Sequence, residues 1–188
     1  SRTCIARKMV EARIRNQRTQ LFRLNREKQI ASVIVVLSEM QRTLAKLQSA
    51  EDHHAILGFE GSATALYWPA LGSLAHPDTF SGPVGFARTR PAQDPLNAVI
   101  NYLAGILERD TRAAIHATGL HTGFAFLHGS RDRHDGLVYD LMEPLRAPLS
   151  EGLAITLFNQ RKLRPDMFSQ SETEGQLIND TGRQAIIL

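Results

Sequence analysis

Apolar positions along most of the chain recur at spacings of three and four, the period of helices that bury one face. The clearest run is residues 28–48, where Ile30, Val33, Leu37, Met40, Leu44 and Leu47 line one side. Residues 4–25 place Ile5, Met9, Ala12, Leu21 and Leu24 on a stripe, with arginines around the rest. A third helix is predicted over 51–68, with Ala55, Phe59, Ala63 and Leu66 inward and Trp68-Pro69 as its stop. Residues 69–93 read as a loop rich in Pro and Gly. Asp94-Pro95 is a helix start, with an N-cap acid and proline in the first turn. Val99, Tyr102, Leu103 and Ile106 form that helix's buried stripe, and Thr111 caps a shorter helix that stops at Gly119. A tight apolar connection, 120–127, leads to His128, and a polar loop follows from Gly129 to Asp135.

Another helix is predicted near 136–147, with Leu137, Leu141 and Leu145 buried. Pro144 inside it removes one backbone bond and clashes with the carbonyl of residue 140, so a kink is expected. Ser150 caps a helix ending near Arg164-Pro165, and Ser171-Glu172-Thr173-Glu174 is a capping box opening the last segment. No run shows the alternation of a strand, so the fold class is all-α, a multi-helix domain. Its parts are a basic helix over 1–25 and a helical domain over 26–188.

Charge adds an asymmetry. The net charge is +3, yet residues 1–28 hold nine Lys/Arg against Glu11 and Glu27, so this stretch is +7 and the remainder −4. Such a segment suits a polyanion partner or a solvated helix face. No apolar run approaches the roughly 20 residues that span a bilayer. The single cysteine, Cys4, excludes an internal disulfide and fits a reducing cytoplasm. The chain starts at Ser1 inside a helix and ends on the apolar Ala185 to Leu188, as a portion of a larger protein would.

Several residues can carry chemistry. Asp140 and Glu143 share a helix face, because i and i+3 are neighbours. His128 precedes them by one loop, and Glu60 stands between Gly58 and Gly61. One histidine with carboxylates suits Mg²⁺ or Mn²⁺ better than structural zinc. Spacing alone equally allows solvated acids and a packed histidine. His53-His54 point about 100° apart on a helix and chelate poorly. His121, His128 and His134 have no cysteine to complete a zinc site. The serines lie in no nucleophile elbow, and there is no Gly-rich phosphate loop.

Four segments resemble, in order, the motifs of the CRISPR-associated spacer-acquisition integrase family (Cas-one). Residues 57–68, Leu57 to Trp68, resemble its glutamate motif. Arg88 to Ala98 resembles its arginine-rich stretch running into an Asp-Pro-x-Asn helix start. Gly119 to His128 resembles its histidine motif, although Thr122-Gly123-Phe124 departs from the usual form. Leu137 to Arg146 resembles its acidic motif. The resemblance implies a helical catalytic domain in which Glu60, His128 and Glu143 hold Mg²⁺ or Mn²⁺, with Asp140 as an accessory acid. It implies integration of spacer DNA by 3′-hydroxyl transesterification, with endonuclease activity at the same site. Arg88, Arg90, Arg146 and Tyr139 become candidate DNA contacts. The family's small β-rich N-terminal domain has no counterpart here. Implied partners are double-stranded DNA, both prespacer and CRISPR repeat, a Cas-two-like protein, a second copy of the chain, and a fused domain. The competing functions are a casposase-like transposon integrase and a catalytically idle DNA-binding scaffold.

Overall fold

The computed structural model describes residues 2–76, 86–128 and 135–187. Seven α-helices dominate them: α1 Arg2–Asn25, α2 Ala31–Leu47, α3 His53–Ser73, α4 Pro95–Ala117, α5 Gly136–Arg146, α6 Gly152–Asn159 and α7 Asp180–Ile187. No described helix is long and apolar enough to cross a membrane. The helical class is as expected. The absence of strands is not, because β1 Phe168–Ser171 pairs antiparallel with β2 Gly175–Ile178. Four-residue strands with polar Ser169 and Gln170 are too short to show alternation.

The Ser171–Glu174 stretch is the turn of that hairpin, not a helix cap. Ser171 Oγ accepts from the Glu174 N–H at 3.2 Å, an arrangement with the same sequence signature as a capping box. Gly175 ends the turn at φ +77, where a Cβ would lie 2.2 Å from the Ala92 carbonyl oxygen. The Gln176 N–H donates to that same carbonyl at 2.8 Å, tying the hairpin to the segment before α4. A side chain here meets both an unfavourable φ and backbone. Gly175→Val should cost about 1–3 kcal/mol, read as a lower melting temperature. An unchanged melting temperature would mean that the hairpin contact contributes nothing.

Helix α1 packs against α2, α3 and α5. Its inward face is Ala6, Val10, Arg13, Ile14, Gln17 and Leu21, one position round from the expected stripe, and Ile5 is exposed. The basic residues of this segment largely serve the fold. Arg7 donates to the Gln48 carbonyl, Arg18 to Leu37 and Lys28 to Leu74. Arg15 pairs with Glu11. The stripe of α2 is as expected, with Val33, Met40, Leu44 and Leu47 buried.

Three expected boundaries move. Helix α3 runs through Pro69 to Ser73 and buries Tyr67, Ala70 and Leu71. Burial of that last turn outweighs the one backbone bond that proline removes. Helix α4 is continuous past Thr111, with Arg112 bonded to Glu108 at 2.8 Å. The irregularity expected at Pro144 falls one turn later, as a π-helical turn over Ala147–Glu151 that feeds into α6. Ser150 lies inside this turn, and its hydroxyl donates to the Arg146 carbonyl at 2.8 Å.

Candidate metal centre

Helix α5 carries the acidic pair, and its orientation reverses the sequence expectation. Leu137, Val138, Asp140, Met142 and Glu143 face inward, while Leu141 and Leu145 are exposed. Asp140 is fully buried. Buried carboxylates persist only with partners, and Asp140 has four. The backbone N–H groups of Phe126, Leu127 and His128 donate to it at 2.5, 2.9 and 2.9 Å. His128 Nδ1 lies 2.6 Å from Asp140 Oδ1. Burial acts to raise the Asp140 carboxyl, but the bonds from the His128 ring and the three N–H groups outweigh it, so its pKa is lowered.

One buried acid thus ties down the whole His128 segment. A carboxylate at this distance favours the tautomer with its proton on Nδ1, in which Nε2 carries the lone pair. Arg2, from the start of α1, adds bonds to the Phe126 and His128 carbonyls at 3.1 and 3.2 Å. The Tyr139 ring meets the His128 ring edge to face at 6.3 Å.

Glu60 comes from α3 and Glu143 from α5. Both reach Arg13 of α1, which was not singled out from the sequence. Arg13 Nε is 3.1 Å from Glu60 Oε1, and Arg13 Nη1 contacts Glu143 Oε2. Its side chain is only 8% exposed, so the guanidinium is an ion-paired cation largely withdrawn from bulk water. Thr64 Oγ1 donates to Glu60 at 3.0 Å, and Arg146 Nε donates to Glu143 at 3.1 Å. Asn16 holds α1 against α5 by donating to the Pro144 carbonyl at 2.7 Å. A signal for Arg13 was available, since it sits on the same helical face as Val10 and Gln17.

A further buried acid, within the field of Arg13, was not evident from the sequence. Glu151, at the end of the π turn, is 2% exposed. Burial raises its carboxyl pKa, against the field of Arg13 and the effects of Tyr67, Arg146 and Arg88. The Tyr67 hydroxyl is pushed up by burial and by Glu151. Tyr67 and Glu151 thus act on each other, and both polar atoms of the buried Gln17 amide make no hydrogen bond.

The chemistry of the donors fits a hard divalent cation: two carboxylates that already converge on one positive charge, and an imidazole with its lone pair directed by a carboxylate. The guanidinium of Arg13 takes the position between Glu60 and Glu143. Among the described residues, no three His, Cys, Asp or Glu side chains stand together at metal-holding distances. His134, a member of the histidine trio, lies outside the described residues.

The arginine loop is built around Asn97, at the first turn of α4 and fully buried. Its Oδ1 accepts from Arg88 Nη1 at 2.5 Å and from the Thr89 N–H at 3.1 Å. Its Nδ2 donates to the Ala87 carbonyl at 2.9 Å. Asp94 caps α4 by accepting from the Asn97 N–H at 2.8 Å. Arg88 also bonds Asn101 at 2.5 Å and lies over the Trp68 ring at 5.4 Å. Burial, then the neighbouring Arg90, pushes its pKa down to about 10, so it stays charged at neutral pH. Arg88 therefore clamps the loop onto α3 and α4, while Arg90 is exposed. Asn97→Ala strands the loop's polar groups and should cost about 2–4 kcal/mol. Urea unfolding checks this, and a loss under about 0.5 kcal/mol would contradict it.

The family model described as CRISPR associated protein Cas1 matches residues 1–188. The CRISPR-associated endonuclease Cas1 2 of Rhodospirillum rubrum is 33% identical, covering 97% of this chain and 56% of that protein. A CRISPR-associated exonuclease Cas4/endonuclease Cas1 fusion of Leptospira interrogans is 31% identical, covering 96% of this chain and 34% of the fusion. Among solved structures, a partial Cas6-RT-Cas1–Cas2 complex matches with TM-score 0.87 and 26% identity, over 99% of this chain and 55% of that one. A casposase bound to integration product matches with TM-score 0.81 and 26% identity, over 99% of this chain and 51% of that one. The chain thus spans about half the length of the R. rubrum relative and of both matched structures, or less of a fusion. With the glutamate, arginine, histidine and acidic motifs in order on one helical frame, the chain belongs to the CRISPR associated protein Cas1 family.

Proposed function

We propose that this chain is the catalytic part of a DNA integrase that inserts spacer DNA into a CRISPR array, using a divalent metal held by Glu60, His128 and Glu143. The observation that supports it most is the convergence of Glu60 and Glu143 on one buried positive charge. Asp140, which holds the His128 ring, sits one turn before Glu143 on the buried face of α5. A 3′-hydroxyl of the incoming strand attacks a phosphodiester of the repeat. A new P–O bond forms, the old one breaks, and the displaced strand leaves as a 3′-hydroxyl. Phosphodiester bonds are conserved, so no protein nucleophile or external energy source is required. A bound Mg²⁺ or Mn²⁺ supplies Lewis-acid polarisation of the phosphate and favours ionisation of the attacking hydroxyl.

The chain's own groups do the rest. Asp140 holds His128 in the tautomer that can ligate. Arg146, partly exposed beside Glu143, and the Tyr139 ring orient the DNA near the reacting phosphate. Arg90 contacts backbone phosphate further out, on the loop that Arg88 secures. Such contacts position DNA without reading its sequence. The names of the similar proteins support a Cas-two-like partner and a fused domain for the full-length protein.

A casposase-like role uses the same site and is favoured by the likeness to the casposase complex. The two separate on substrate. The full-length protein, with its Cas-two-like partner and Mn²⁺, should join a 3′-hydroxyl DNA end to a CRISPR repeat in preference to a transposon end. Preference for the transposon end would establish the casposase-like role, and no joining of either would support the idle scaffold.

A further inference from the structure

Arg13 stands among three acids: it is ion-paired with Glu60 and Glu143, and its field acts on Glu151. Two partly or wholly buried carboxylates held close together repel unless a cation lies between them. The guanidinium supplies that cation. A divalent ion seated on the same carboxylates brings two more positive charges to the same place. Arg13 would then be a buried cation without a counter-charge, a costly arrangement. The fold provides a second berth. Glu151 is 98% withdrawn from solvent, the Tyr67 hydroxyl is its polar neighbour, and among the described residues its carboxylate is in no ion pair. Gln17, one turn along α1 from Arg13, is buried with both polar atoms of its amide unpartnered. The π turn that ends at Glu151 is the kind of irregularity that recurs at functional sites.

We propose that Arg13 is a placeholder cation, which pairs with Glu60 and Glu143 until a divalent ion enters and then transfers to Glu151. This rests on the metal-site reading of Glu60, His128 and Glu143. Arg13 is a positioning residue in this scheme, keeping the two glutamates together before the metal arrives. Arg146 and Arg88 also act on Glu151, so the berth is not bare while Arg13 is elsewhere.

The test is a double-mutant cycle on Mn²⁺ affinity in the full-length protein, by calorimetry or the Mn²⁺ spin-resonance signal. Arg13→Gln removes the competitor, so Mn²⁺ should bind about tenfold tighter. The metal-free melting temperature should fall, and the rise on adding Mn²⁺ should grow. Glu151→Gln removes the berth and should weaken Mn²⁺ about tenfold with Arg13 present, but less than about threefold with Arg13→Gln. Arg13→Lys keeps the charge without the fork, and serves if Arg13→Gln does not fold; its affinity should rise by a smaller factor. Arg13 variants that bind Mn²⁺ no tighter, or a Glu151→Gln effect equal in both backgrounds, overturn the placeholder while the metal site stands. Mn²⁺ binding that is insensitive to Glu60→Ala and His128→Ala overturns the metal site and the placeholder together.

Discussion

Replacing any one of Glu60, His128 or Glu143 with alanine should lower strand transfer by about 10³-fold or more, a loss of the size seen when one stabilising group is removed from a reaction centre. The three differ in what else they break. Glu143 is nearly buried and neutralises both Arg13 and Arg146. Its removal leaves two cations without that partner, so Glu143→Ala should also destabilise the fold, by about 3–5 kcal/mol for a broken buried pair. Glu60 is more exposed and keeps only Arg13 and Thr64. His128 is 38% exposed at its side chain. Glu60→Ala and His128→Ala are therefore the cleaner variants: activity should vanish while the melting temperature changes little. Retained strand transfer in both, with Mn²⁺ present, would contradict the proposed site.

Asp140→Asn should cost about 10–100-fold in Mn²⁺ affinity, and strand transfer with it, without removing a ligand. The amide must place an NH₂ or a weaker carbonyl where four donors converge. It cannot hold the Nδ1 proton of His128 as the carboxylate does, so the wrong tautomer becomes accessible. The variant should also lose stability in a pH-dependent way. The folded-state pKa of Asp140 is lowered, so its contribution is fully present above the ordinary carboxylate value. It is lost as pH falls through the lowered value. Wild type and Asp140→Asn should therefore differ most at neutral pH and converge in acid. A parallel pair of stability curves would show that the Asp140 pKa is not lowered by folding.

Much of the frame was legible because it depends on period and caps. The α2 stripe and the Asp94-Pro95 start of α4 follow from local rules that tertiary packing reinforced. The site residues were legible through ordered motifs, since period alone could not tell Asp140 from a solvated acid. Periodicity in fact assigned α5 the wrong inner face. Leu141 and Leu145 look like core, yet the acids are inside, because four hydrogen bonds to Asp140 and two arginines on Glu143 compensate their burial. Arg13 stood out only by its helical face, in a helix where Arg2, Arg7 and Arg18 bond backbone carbonyls and Arg15 pairs with Glu11. Glu151 was hidden because a π turn shifts the register that would have revealed its inward position. The hairpin was hidden by its length.

The most direct test is a crystal structure of the full-length protein soaked with Mn²⁺, with the metal located by its anomalous signal. One Mn²⁺ peak is expected, bounded by Glu60, His128 Nε2 and Glu143, at oxygen and nitrogen distances of about 2.1 Å. A protein that integrates DNA while its Mn²⁺ sits elsewhere, or with none of these three side chains touching it, would contradict that prediction.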